Sequence, residues 1–126
     1  MNSPVRIQLR RTGGWCMPPN TVAVTRPGPW GNPFIVGVHG TRDECVLHYE
    51  RLLSGFLFIA GKLIVDRSTF VKYLKFAGQH IDELRGKNLA CWCSLPADNA
   101  LDICHAVVLL RRANSDIPNP PMATWV

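Results

Sequence analysis

The sequence predicts a mixed α/β fold: one small two-layer or three-layer domain with a short central sheet and about three helices. Three observations carry this reading. The chain has 126 residues, enough to bury one hydrophobic core but hardly two. Its composition is 47% hydrophobic and 18% charged, which excludes a disordered chain. Stretches of period-two hydrophobicity alternate with stretches of helical period along its length. The domain is expected to span 1–114, followed by an extended Pro-rich tail over 115–126.

The elements follow in order. Val5 to Arg10 alternates apolar and polar residues, the mark of a half-buried strand with Arg6, Gln8 and Arg10 on its outer face. Thr21 to Thr25 is a second strand, set between Pro18-Pro19-Asn20 and Arg26-Pro27-Gly28-Pro29; Phe34 to Val38 reads as a third. Thr41-Arg42-Asp43-Glu44 is a capping box, so a helix starts there and buries Cys45, Tyr49, Leu52 and Leu53. Residues 56 to 65 are apolar on all sides and are expected to be buried, as strand or helix. Ser68 to Leu84 keeps a helical period, as one helix or two broken near Gly78, and Gly86 suits a C-terminal cap. Asn88 to Cys93 is a strand. Ile103 to Asn114 is the last helix, with Asp102 as N-cap and with Arg111 and Arg112 complementing its dipole.

No apolar run approaches the roughly 18 residues of a membrane span. The first residues lack the apolar core of a secretion signal, so a cytoplasmic location is expected. In that compartment the five cysteines stay reduced and serve as buried thiols, metal ligands or reactive groups. Net charge is +5, and the first 42 residues carry Arg6, Arg10, Arg11, Arg26 and Arg42 with no acid. An all-arginine segment suits an anionic partner, nucleic acid included; the competing reading is a solvated basic face.

Two constellations carry chemistry. The first is the loop Arg26-Pro27-Gly28-Pro29-Trp30-Gly31-Asn32-Pro33-Phe34, whose prolines and glycines pre-organise a cation, an indole and an amide. Arg26 can bind phosphate or carboxylate, Trp30 can stack on a ring, and Asn32 can read a donor and acceptor together. Alternatively, Trp30 and Phe34 plug the core. The second is Cys91-Trp92-Cys93 with Cys104-His105. Strand alternation points the thiols of Cys91 and Cys93 to one side and Trp92 to the other, while Cys104 and His105 fall in the first turn of the last helix. These four donors are of the types that hold zinc, although their spacing is not that of the usual knuckles. Inert buried thiols and a reactive Cys104–His105 pair are the other readings.

The segments Arg26-Pro27, Trp30-Gly31-Asn32-Pro33-Phe34, Leu84-Arg85-Gly86-Lys87, Leu89-Ala90-Cys91-Trp92-Cys93 and Cys104-His105 occur in the order seen in a known family. The chain resembles the domain of unknown function 4326 family, small phage and bacterial proteins with WGNPF and LACWC…CH signatures. The resemblance covers nearly the whole chain and singles out residues rather than a reaction. The chain departs from the family pattern in having Val107 where an acid is usual and Cys16 where an arginine is common, and in a longer loop between Cys93 and Cys104. If the acid is a base or ligand in relatives, this chain binds what they convert.

The resulting expectation is a protein that binds an anionic nucleotide, nucleoside derivative or nucleotide-derived signal between the Trp30 loop and the last helix. Its ligand-binding residues would be Arg26, Trp30, Gly31, Asn32, Lys87 and Trp92. The phage setting, implied by the resemblance alone, would make it a modifying or defence-countering protein in the host cytoplasm. One alternative is an N-glycosidic-bond hydrolase or transferase using Cys104 and His105. Another is a zinc-stabilised module, with Cys91, Cys93, Cys104 and His105 as ligands, that binds nucleic acid or protein.

Overall fold

The computed structural model describes residues 4–26, 28–55, 58–59, 62–63, 66–97 and 100–115. Within them the chain forms β1 (Arg6–Gln8), β2 (Thr21–Ala23), α1 (Arg42–Leu53), β3 (Phe58–Ile59), β4 (Lys62–Leu63), α2 (Arg67–His80), a 3-10 turn (Ile81–Leu84), β5 (Asn88–Cys91) and α3 (His105–Ala113). The mixed α/β class is as expected. The proposed tail and most of the apolar stretch 56–65 lie outside the described residues; the described part of that stretch is the antiparallel pair β3–β4.

β5 is the centre of a three-stranded parallel sheet, flanked by β1 and β2. Arg6 pairs with Leu89, Gln8 with Cys91, and Ala23 with Ala90. Leu89 and Ala90 are fully buried, as a central parallel strand requires. The amphipathic α3 lies against β5 and β1, α1 and the 3-10 turn pack against α3, and α2 packs against α1. Tyr49, Leu52, Leu53, Phe70, Leu74, Leu84, Val108 and Leu109 fill the space between them.

The helix starts follow local chemistry. Thr41 accepts from the Glu44 amide at 3.2 Å while Glu44 accepts from the Thr41 amide at 3.0 Å, the expected capping box. At α2 the cap is Asp66, and the break after the helix falls at His80–Ile81 rather than at Gly78. Hydrogen bonds from the Ser68 hydroxyl and from the hydroxyl and amide of Thr69 hold the Asp66 carboxyl at about 2, against an ordinary 3.8. The folded pKa lies below the unfolded one, so this cap's contribution is fully present above pH about 4 and is lost as pH falls toward 2. Acid titration of the unfolding midpoint is expected to show a shallower loss across that window in Asp66→Asn than in the native chain.

Three local expectations are corrected. Phe34 to Val38 is not a strand. Phe34 is buried, but Ile35, Val36 and Val38 are exposed, and the chain turns at Gly37, whose φ of 88° is a left-handed value that glycine adopts without strain. The last helix is capped by Cys104 rather than Asp102, whose side chain is taken up elsewhere. Arg6 is not on a solvent face. Arg6 is buried beneath Cys93, Ser94 and Asp102, and its guanidinium bonds Asp102 through Nε at 2.5 Å and Nη2 at 3.1 Å. The same guanidinium donates to the carbonyls of Cys93 at 2.7 Å and Ser94 at 2.8 Å. A period-two pattern identifies the polar face of β1 but not the distant Ser94 and Asp102 that cover it.

Candidate functional site

A cavity of about 300 Å³ opens at the carboxyl ends of β2 and β5. Ligand crevices of open parallel α/β sheets form at this end, because the loops leaving the strands and the helix starts that follow converge there. Arg26, Asn32, Arg42, Trp92, the start of α3 and the three thiols of Cys91, Cys93 and Cys104 line it. Among the described residues no aspartate or glutamate does so.

Backbone geometry sets each wall. Arg26 follows β2 directly, and its backbone and Cγ lie where a Cβ on Gly31 would sit, at 2.7 to 2.9 Å, so only glycine fits at position 31. The expected Gly31 role is therefore close packing against Arg26. Asn32 accepts from the Phe34 amide at 2.9 Å and donates to the Cys45 carbonyl at 3.2 Å, tying the loop to α1. Arg42, in the first turn of α1, donates from Nε to the Ile103 carbonyl at 2.9 Å and bridges α1 to the chain entering α3. Among the described residues Arg26 has no hydrogen-bond or ion-pair partner.

The cysteines converge. β5 ends at Cys91 and the chain bends at Trp92–Cys93. On a continuing strand residues two apart are separated by about 6.6 Å, whereas the bend brings the two sulfurs to 3.7 Å. The Cys104 sulfur joins them, all three lying within 4.8 Å of one another. Hydrogen bonding from Cys104, then from Cys93, pushes the Cys91 thiol well down, while the same contacts push Cys104 up.

His105 is buried and stacks edge-on against Tyr49. Its Nε2 meets the Val24 carbonyl at 2.6 Å, and since a carbonyl only accepts, Nε2 carries the proton. Burial lowers its pKa and favours the neutral ring. The unprotonated Nδ1 lies 3.9 Å from the Cys104 sulfur, a thiol–imidazole couple at the edge of the cavity.

Two residues expected at the site lie elsewhere. Trp30 is 8% exposed and belongs to the core: its ring packs edge-on against Phe76 at 4.7 Å, and its carbonyl accepts from Tyr49 at 2.8 Å. Lys87 stands before the opposite end of β5. The indole that does reach the cavity is Trp92, 46% exposed, with the Arg11 guanidinium 4.8 Å from its ring centroid. Arg42 and Cys45 also form the wall, although the sequence does not single them out as site residues. Arg42's signal was its place in the acid-free arginine segment, and Cys45 had none beyond a core position.

The model of the domain of unknown function called DUF4326 matches residues 7–115. The chain belongs to this family. Searches of curated proteins and of solved structures find no significant match. Among the described residues no helix is long and apolar enough to cross a membrane.

Proposed function

We propose that the protein binds a small phosphorylated ligand of the nucleotide class in the cavity at the strand ends. The observation that carries this reading is the lining itself: Arg26, Arg42 and the start of α3 face one cavity that, among the described residues, no acid lines. Arginine forks match phosphate geometry, and the positive end of the α3 dipole adds a partial positive charge. Trp92 supplies a ring face on which a base can stack, the role first expected of Trp30. The basic N-terminal face is a weaker candidate for nucleic acid, because Arg6 is committed to Asp102.

Calorimetry with nucleoside monophosphates and inorganic phosphate tests the reading. Arg26→Ala is expected to cost about 1.5–3 kcal/mol of binding, the range for hydrogen bonds to charged groups, and to do so at low and high salt. Arg10→Ala is expected to have a smaller effect that fades as salt rises. Equal losses that vanish together in salt would show a diffuse basic surface instead of a site.

A second reading rests on the Cys104–His105 couple, which has the donor types of a nucleophile and its base. Cleavage of an N-glycosidic bond, with water or another acceptor bonding the sugar carbon and a proton passing to the departing base, would release free base from a nucleotide. Release abolished by His105→Ala supports it, and binding without release supports the first reading alone.

A further inference from the structure

We propose that Cys91, Cys93 and Cys104 bind a single zinc ion on the cavity wall, with the fourth coordination position open to the cavity. This rests on the sulfur geometry and is independent of anion binding. Tetrahedral zinc with bonds of about 2.3 Å places its sulfurs about 3.8 Å apart. The Cys91 and Cys93 sulfurs are already 3.7 Å apart, and the third lies inside a 4.8 Å circle with both. Small side-chain rotations close the trio on one ion.

The three donors are held by different elements: Cys91 ends the central strand, Cys93 follows the bend, and Cys104 caps α3. That explains why the sequence spacing resembles no zinc knuckle, since two of the ligands come from a strand end and one from a helix start. On binding, the thiols ionise, lose their protons to solvent and leave three thiolates around a divalent ion, a net charge of −1. Arg6 stands beside this charge, its guanidinium bonded to the Cys93 carbonyl. His105 does not complete the set. Its Nε2 is held by the Val24 carbonyl and its Nδ1 lies outside the trio, so the expected fourth zinc ligand is left to water or to a molecule in the cavity. An open position of this kind distinguishes a ligand-binding or catalytic zinc from a closed structural one.

The test is anaerobic cobalt(II) titration of the full, reduced, metal-free chain, followed optically. The expected result is a thiolate-to-cobalt charge-transfer band with intense tetrahedral visible bands. Both saturate at one cobalt per chain and disappear on addition of zinc. Cys93→Ser, at the half-buried position, is expected to weaken binding on the order of a hundredfold or more, since loss of even an outer-shell partner costs about 10–100-fold. Cys93→His keeps a donor and is expected to retain cobalt with a shifted spectrum. Cys16→Ser, at an exposed thiol, is expected to leave the spectrum unchanged. No charge-transfer band in native protein with all five thiols reduced would overturn the proposal, as would a band lost in Cys16→Ser but kept in Cys93→Ser.

Discussion

Arg6→Ala is expected to lower the unfolding free energy by about 3–5 kcal/mol, the usual cost of removing one partner of a buried ion pair. The Arg6 side chain is 3% exposed and that of Asp102 is 19% exposed, so the carboxylate left behind is poorly reached by water. Burial by itself would lower the Arg6 pKa, but the hydrogen bond to Asp102 and neighbouring negative charge outweigh it, and the guanidinium stays ionised. The carbonyls of Cys93 and Ser94 lose their donors in the same substitution. Those bonds hold the segment that carries Cys93 toward Cys104, so the effect extends to the site. Urea unfolding at constant slope reads the loss directly. Asp102→Ala in the Arg6→Ala background is expected to cost little more, because the charge it removes is already unpaired. A loss below about 1 kcal/mol for Arg6→Ala would place the pair with solvent-screened surface bridges.

Trp30→Ala is expected to destabilise by about 3–5 kcal/mol, the range for truncating a buried aromatic residue. The indole packs on Phe76, and the backbone beneath it receives the Tyr49 hydroxyl. Trp30→Phe keeps most of that packing and is expected to leave nucleotide affinity within about twofold of native, a difference below 1 kcal/mol. Trp92→Ala is expected to behave the other way. Its exposed ring contributes little to the core, but loss of one stacked base costs about 1–3 kcal/mol of binding. Paired thermal melts and calorimetry on these variants separate the two indoles. Loss of affinity in Trp30→Phe with none in Trp92→Ala would reverse the assignment.

Much of this arrangement was legible before the structure, and the failures have physical causes. The Thr41–Glu44 capping box, the strand at Asn88 and the apolar stripe of α1 rest on local rules and were found where those rules put them. The convergence of Cys91 with Cys93 was also anticipated, although the bend at Trp92 and not strand alternation produces it. Arg6 was misplaced because a partner 96 positions away leaves no trace in a period-two pattern. Asp102 has the residue type of an N-cap, but an ionic partner outcompeted the helix amides for its carboxylate. Trp30 and Trp92 are both flanked by signature residues, and only tertiary packing decides which indole is covered. Arg42 read as one more surface charge until the chain before α3 came to rest on its guanidinium.

The claim that the cavity is an anion site is tested most directly by an amide-resonance titration of the isotopically labelled chain with nucleoside monophosphates and inorganic phosphate. The expected result is saturable shifts at Asn32, Arg42, Cys93 and Ala106, retained at high salt and lost in Arg26→Ala, with Arg10 unmoved. Shifts confined to Arg10 and Arg11 that fade with salt, or none at any cavity residue, would contradict it.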